Sequence, residues 1–207
     1  MTEEQIIQGI RNGDEAAFKE LVNNYQELVI NVCNSFLHNK DDALDVSQDV
    51  FIKAYHSIGN FRGQSRISTW LYRIAVNQSL NYIRDRKRKN IFSNLDVLFN
   101  NPGSDPVENI EDDNDNATQK MERQERKDLL FRAIQKLPKK QRIALTLNKL
   151  EELPYREVAE IMDITVSETG VLINRAKKTL QKKMVAKLKN TWTIVIKFFY
   201  LCQRNRN

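Results

Sequence analysis

Apolar residues along this chain recur at helical spacing. Phe18, Leu21, Val22, Tyr25, Leu28, Val29 and Val32 fall three or four positions apart. That spacing predicts a helix over Glu15–Leu37 with Asp14 as its N-cap. Glu3–Ile10 reads as a shorter helix ahead of it. Asp41 or Asp42 starts a third helix, Ala43–Ser57, whose apolar positions include Leu44, Val46, Val50, Phe51, Ala54 and Tyr55. A loop, Ile58–Arg66, carries Gly59 and Gly63, and a helix over Ser68–Lys87 follows, with Ser68 as a candidate cap. Strand alternation and internal repeats are absent from the pattern.

The pattern then fades. Residues 91–117 are acidic and amide-rich, hold Pro102 and Pro106, and read as a flexible linker. Within it only Ile91–Phe99 is briefly apolar, and its structure stays open at this point. Helical spacing returns in Gln119–Lys136, Lys139–Lys149 and Tyr155–Met162, the last two opened by Pro138 and Pro154. Ser167 is the expected N-cap of a final helix reaching about Leu188. The predicted fold is all-α: two small helical domains, 1–90 and 118–189, joined by the linker. A tail, 190–207, has no assigned role. Its apolar run Trp192–Cys202 is too short to span a bilayer and is broken by Lys197, so packing on the second domain is expected. Docking to an inhibitor or a membrane surface is the alternative.

Charge changes the picture more than length does. The 207 residues carry a formal charge of +6, unevenly spread. Ser104–Asn116 holds six acidic residues and no basic one, whereas Thr169 to the end holds ten basic residues and no acidic one. A polyanion would meet the C-terminal part and avoid the middle. Cys33 and Cys202 are far apart, without zinc-ligand spacing, and two free thiols fit a reducing cytoplasm. His38 and His56 read as surface or half-buried residues with no metal or triad partner. The N-terminus does not read as a signal peptide. A catalytic constellation, a metal site, a cofactor loop and a small-molecule substrate site are all expected to be absent.

Two tracts carry candidate chemistry. Phe61–Lys89 combines Trp70, Tyr72 and Tyr82 with Asn77 and Asn81, and ends in a basic cluster from Arg84 to Lys89. Rings that stack on bases, amides that read base edges and cations that hold phosphates suit a single-strand grip. The second tract, Tyr155–Lys183, has helix-turn-helix pattern. Val158, Ala159 and Met162 face inward, Ile164 and Val166 plug the turn, and Val171 or Leu172, with Ala176 and Leu180, anchor the second helix. An ordinary helical hairpin with a solvated basic face is the competing reading.

Both tracts, in this order, resemble the extracytoplasmic-function (ECF) group of bacterial sigma factors. The matching residues are DALDVSQDVFIKAYHSIGNFRGQSRISTWLYRIAVNQSLNYIRDRKRK and LPKKQRIALTLNKLEELPYREVAEIMDITVSETGVLINRAKKTL. The resemblance implies a first domain that binds core RNA polymerase and melts the minus-10 element. It implies a second domain that binds the minus-35 element of promoter DNA. Asp45, Gln48, Asp49 and Lys53 would face polymerase. Ser57, Ile58, Gly59, Asn60, Phe61 and Arg62, with Asn77, would form the pocket for a flipped base. Asn81 would stand beside them, and Arg84, Arg86, Lys87 and Arg88 would meet phosphates. Trp70 is expected in the core.

Ser167, Glu168, Thr169, Gly170, Val171, Asn174, Arg175, Lys177 and Lys178 would contact the minus-35 element. The recognition helix departs from the usual Gly-Thr-Val and basic-residue start, so base reading would rest on Glu168, Thr169, Val171 and Asn174. An anti-sigma protein is implied as a further partner, and the cytoplasm as location. A free-standing duplex-binding regulator is the rival reading, and the tract Phe61–Lys89 argues against it.

Overall fold

The structure, a computed structural model, describes residues 1–100 and 128–185. Their elements are α1 (Glu3–Arg11), α2 (Glu15–Leu37), α3 (Lys40–Ser57), a 3₁₀ turn (Ile58–Asn60), α4 (Ile67–Asn100), α5 (128–135), α6 (Lys139–Lys149), α7 (Tyr155–Met162) and α8 (Val166–Val185). The fold is all-α, as expected, with α1–α4 in one helical cluster and α5–α8 in a second. The linker beyond residue 100, residues 118–127 and the tail 190–207 lie outside the described residues. Among the described residues, no helix is long and apolar enough to cross a membrane.

Local chemistry explains most of the boundaries. Thr2 and Gln5 close α1 with a reciprocal capping box. Asp14 caps α2 as expected, accepting from the Ala16 N–H at 2.8 Å. The start of α3 differs: Asn39, not Asp41 or Asp42, accepts from the Asp42 N–H at 2.9 Å. Both aspartates therefore fall in the first turn, where the helix dipole favours them. The largest difference is α4, which runs on to Asn100 rather than ending at Lys87. Nothing from residue 67 to residue 100 is Gly or Pro, so no residue forces a stop, and the first stretch of the expected linker is helix.

The first core joins Leu21, Val29, Val32 and Phe36 of α2 to Val46 and Val50 of α3 and Leu71 and Ala75 of α4. Trp70 is half-buried on this core, its ring 5.2 Å from that of Phe61. The second core is built from Leu130, Ile134, Leu145, Leu147, Val158, Ile173 and Leu180. Its helix-turn-helix inner face keeps the expected Val158, Ala159, Ala176 and Leu180, all buried, and differs around the turn. Ile161 and Ile173 are buried, whereas Val166 and Val171 are 50% and 46% exposed and neither plug nor anchor the turn. The reason is the cap: Thr165, not Ser167, starts α8.

The two clusters touch. Arg73 of α4 donates through Nη2 to the Glu160 carbonyl near the end of α7 at 2.7 Å. Gln135 of α5 donates to the Phe36 carbonyl at 2.9 Å, and the Ser35 hydroxyl donates to the buried Glu151 carboxylate. His38 stacks on Phe131 at 4.7 Å and lies 3.8 Å from the Asp128 carboxylate, so this histidine bridges the clusters.

Candidate functional site

Helix α4 carries the tract with single-strand chemistry. Asn77, Asn81, Arg84 and Arg88 fall along one face at helical spacing, and all four are exposed. Neither asparagine amide is tied to another side chain among the described residues. The cations differ in their commitments. Arg86 pairs with Asp42, which also accepts from the Tyr82 hydroxyl at 2.7 Å. That bond to the Asp42 carboxylate pushes the Tyr82 phenol above its ordinary range. Arg86 therefore ties α4 to the start of α3 instead of standing ready for a phosphate. Arg84 pairs with its neighbour Asp85 at 3.0 Å, while Lys87 and Arg88 are exposed.

The turn before α4 sorts its residues sharply. Ile58 and Phe61, both expected at DNA, bury their side chains, at 4% and 6% exposure. Packed on the core, these two side chains leave mainly their backbone to a ligand, although a part of Phe61 lines the groove beside α1. The Ser57 hydroxyl is spent on the Lys53 carbonyl at the end of α3. Gly59, Asn60 and Arg62 face solvent. Arg11 of α1 donates to the Phe61 carbonyl and pins this turn. Between α1 and the turn lies an open groove of about 810 Å³, bounded by Glu4, Gln8 and Arg11 on one side and Gly59, Arg62 and Gly63 on the other. Asn77, expected to share a pocket with the turn, does not line it.

Helix α3 presents Asp45, Gln48, Asp49 and Lys53 to solvent, on the side expected to face polymerase. The same side carries Leu44, Ile52 and Tyr55, which are 46%, 55% and 40% exposed. Leu44 and Tyr55 count among the apolar positions that predict this helix, and Ile52 does not. The signal was present, because residues 44, 48, 52 and 55 share a helix face opposite Val46, Val50 and Ala54. An exposed apolar strip rimmed by charge marks a protein-binding surface.

On α8 the expected base readers divide. Thr169 is fully buried, its hydroxyl donating to the Thr165 carbonyl at 3.1 Å, so it is removed from the set of DNA contacts. Glu168 closes a capping box, accepting from the Thr165 N–H at 2.9 Å and from its hydroxyl at 3.0 Å. These bonds hold the Glu168 carboxyl below its usual range, backbone bond first. Its expected role as a base acceptor competes with this cap. Gly170 sits under the Tyr155 ring, where a Cβ would meet the ring edge at 3.5 Å. Ser167, Val171, Asn174, Arg175 and Lys178 are exposed. Lys177 is exposed too, but partial burial and the nearby charge of Lys149 push its ammonium pKa down. Among the described residues there is no group of three or more His, Cys, Asp or Glu placed to hold a metal ion.

Comparison with known proteins gives this arrangement its class. Residues 21–89 match Sigma-70 region 2, and residues 127–180 match Sigma-70, region 4. The ECF RNA polymerase sigma-E factor of Haemophilus influenzae is 36% identical over 184 residues, covering 89% of this chain and 96% of that one. The RNA polymerase sigma-H factor of Pseudomonas aeruginosa is 35% identical over 185 residues, covering 88% and 93%. Two solved structures share the fold. CnrH in complex with the cytosolic domain of CnrY has a TM-score of 0.57 at 20% identity, covering 88% of this chain and 97% of that one. The sigma factor RpoE in complex with the anti-sigma factor NepR, from Bartonella quintana, has a TM-score of 0.51 at 20% identity, covering 83% and 98%.

The chain belongs to the ECF group of sigma factors. It is a subunit that directs RNA polymerase to promoter DNA, not a catalyst. One expectation is corrected here. A simple free cytoplasmic protein is not how this fold is found in either solved structure, since both contain a bound partner protein.

Proposed function

We propose that α4 and the turn Ser57–Arg62 read and open the minus-10 element, that α8 binds the minus-35 element, and that the exposed face of α3 docks on core polymerase. The observation that carries the first assignment is the stripe Asn77, Asn81, Arg84 and Arg88 with its untied amides. An amide offers a donor and an acceptor together, which a base that has lost its pairing partner needs. Unstacking costs a few kcal/mol, and one or two polar base contacts of about 1–3 kcal/mol each offset it.

For the minus-35 element the readers are Val171 and Asn174, with Arg175, Lys177 and Lys178 on phosphates. Val171, Asn174, Arg175 and Lys178 share one exposed face of α8. Exposed Val171 suits a thymine methyl.

The Leu44, Ile52 and Tyr55 strip on α3 supports docking to polymerase, and a partner covering it would deny the site. On the precedent of the complex of RpoE with the anti-sigma factor NepR, an anti-sigma protein is the partner we assign to that role.

The test is Asn77→Ala in the reconstituted holoenzyme. Strand opening, read by permanganate footprinting, should fall by about tenfold or more. Binding to a duplex carrying only the minus-35 element should be unchanged. Equal loss of both activities, or loss of neither, defeats this division of labour.

A further inference from the structure

We propose that α1 is the second wall of the flipped-base pocket, and that Gln8 and Glu4 read the Watson–Crick edge of one unpaired base of the non-template strand. This rests on the minus-10 reading above and adds to it a helix that lies ahead of residue 21, where the region 2 match begins.

The groove between α1 and the turn has the parts such a site needs. It is a shallow groove open to solvent, wide enough for one flat base to lie against its wall. Ile7 and Phe61 supply an apolar surface for a base face, and Phe61 is braced by Trp70 at 5.2 Å. Gln8 offers an acceptor and the second hydrogen of an amide that also donates to Asn12 at 3.4 Å, Glu4 an acceptor, and both side chains are exposed. Arg62 faces solvent at the rim, where a phosphate of the extruded nucleotide would lie.

The backbone keeps the space open. A Cβ on Gly59 or on Gly63 would meet nothing within 4 Å, so neither glycine is there to avoid a clash with the protein. Gly63 has φ +70°, which favours glycine on backbone grounds alone. Gly59 has no such need, and as it lines the groove a larger side chain there would fill part of it. Arg11 fixes the geometry by donating to the Phe61 carbonyl, joining the wall on α1 to the turn. Arg11 is a positioning residue, and Gln8 and Glu4 are the base readers.

The experiment uses full-length protein with core polymerase and single-stranded non-template oligonucleotides spanning the minus-10 element. One oligonucleotide is intact and the others are abasic at each position in turn. The wild type should show one position where removing the base weakens binding by about tenfold, the worth of one good polar base contact. Gln8→Ala and Glu4→Ala should weaken binding of the intact strand by a similar factor while leaving the strand abasic at that position unchanged. Gly59→Leu, which plugs the groove, should do the same, with the folded state checked by circular dichroism and thermal melting. If the three variants bind intact and abasic strands as the wild type does while Asn77→Ala still loses affinity, the groove is not a base pocket and the minus-10 reading stands. If Asn77→Ala is also without effect, the underlying reading fails and this proposal falls with it.

Discussion

Gly9→Ala puts a number on how tightly α1 is held. Gly9 sits where α1 crosses α2, and a Cβ built there would lie 2.6 Å from the Cβ of Ala17. Carbon atoms in contact prefer about 3.5–4.0 Å, so α1 must retreat by roughly 1 Å. Ala17 is fully buried and has no torsion with which to yield. Overpacking of this kind costs about 1–3 kcal/mol. Alanine in place of glycine returns about 1 kcal/mol of helix propensity. The net expectation is a loss of roughly 1 kcal/mol, within a range of about 0–2 kcal/mol.

The single variant alone cannot separate these two effects, but a cycle can. Ala17→Gly removes the obstacle at a cost of about 1 kcal/mol in propensity plus the lost burial of one methyl. In the double variant the clash is gone, so the two changes should couple favourably by about 1–2 kcal/mol. Urea unfolding of the four proteins gives the coupling, and amide exchange in α1 shows whether the loss is local. A coupling below about 0.5 kcal/mol would mean that the close approach of Gly9 and Ala17 exerts no strain, and the reasoning would be wrong.

Two further predictions follow from local chemistry. Thr165→Ala removes half of the α8 capping box and should destabilise the protein by about 1 kcal/mol. Glu168 should then titrate at higher pH, measured by NMR of its side chain. Its folded-state pKa is depressed, so the stabilisation it contributes is present above the unfolded value and is lost as pH falls through the folded value. In Thr165→Ala that acid loss should be smaller and should be complete at higher pH, the Thr165 backbone bond still holding part of it, and an unchanged profile would refute the part assigned to the hydroxyl. Burial pushes the Cys33 thiol up to about 11, with the nearby Ser79 hydroxyl opposing and the Glu151 charge adding to it. In a Cys202→Ser background, a thiol reagent at about pH 8 should modify the folded protein at least a hundredfold more slowly than urea-unfolded protein. Equal rates would show that Cys33 is accessible in the native state.

Helices whose ends carry their own chemistry were legible from the sequence. The bounds of α2, α6 and α7 follow from Asp14, Pro138 and Pro154. Periodicity also separated the two helical clusters, because each buries a continuous apolar face. It failed where two caps competed within a few residues, as with Asn39 against Asp41, or Thr165 against Ser167. The helix then starts a turn or less away, and residues of its first turns are misplaced while the faces further on hold. Thr169 turned inward and Val171 outward near the start of α8, whereas Ala176 and Leu180 are buried as expected. The groove on α1 had no sequence signal at all, since Arg11 and Phe61 are 50 residues apart and meet only after folding. The continuation of α4 to Asn100 was hidden by polar composition, which suggests a linker although no residue breaks the helix.

On the proposed reading, the contact between the two helical clusters cannot persist on a promoter. The minus-10 and minus-35 elements lie about 25 base pairs apart, or ~85 Å at ~3.4 Å per step. Arg73, bound to the Glu160 carbonyl, is one turn from Asn77 on the same face of α4. From Glu160 the chain reaches Asn174 through the end of α7, a short turn and the first half of α8. At ~1.5 Å per helical residue and at most ~3.6 Å per turn residue, Asn174 stays within roughly 40 Å of Asn77. Both readers therefore cannot engage their elements while this hydrogen bond holds.

The bonds from Arg73 and Gln135 contribute only about 1 kcal/mol each. The His38 stack on Phe131 adds a contact of similar order, and the Ser35 bond to the buried Glu151 carboxylate about 1.5–3 kcal/mol. A junction of this size can be opened by a partner whose affinity for the separated form exceeds its affinity for the joined form by several kcal/mol. On the same reading, core polymerase docked on the exposed face of α3 would be placed to do so before either promoter element is met.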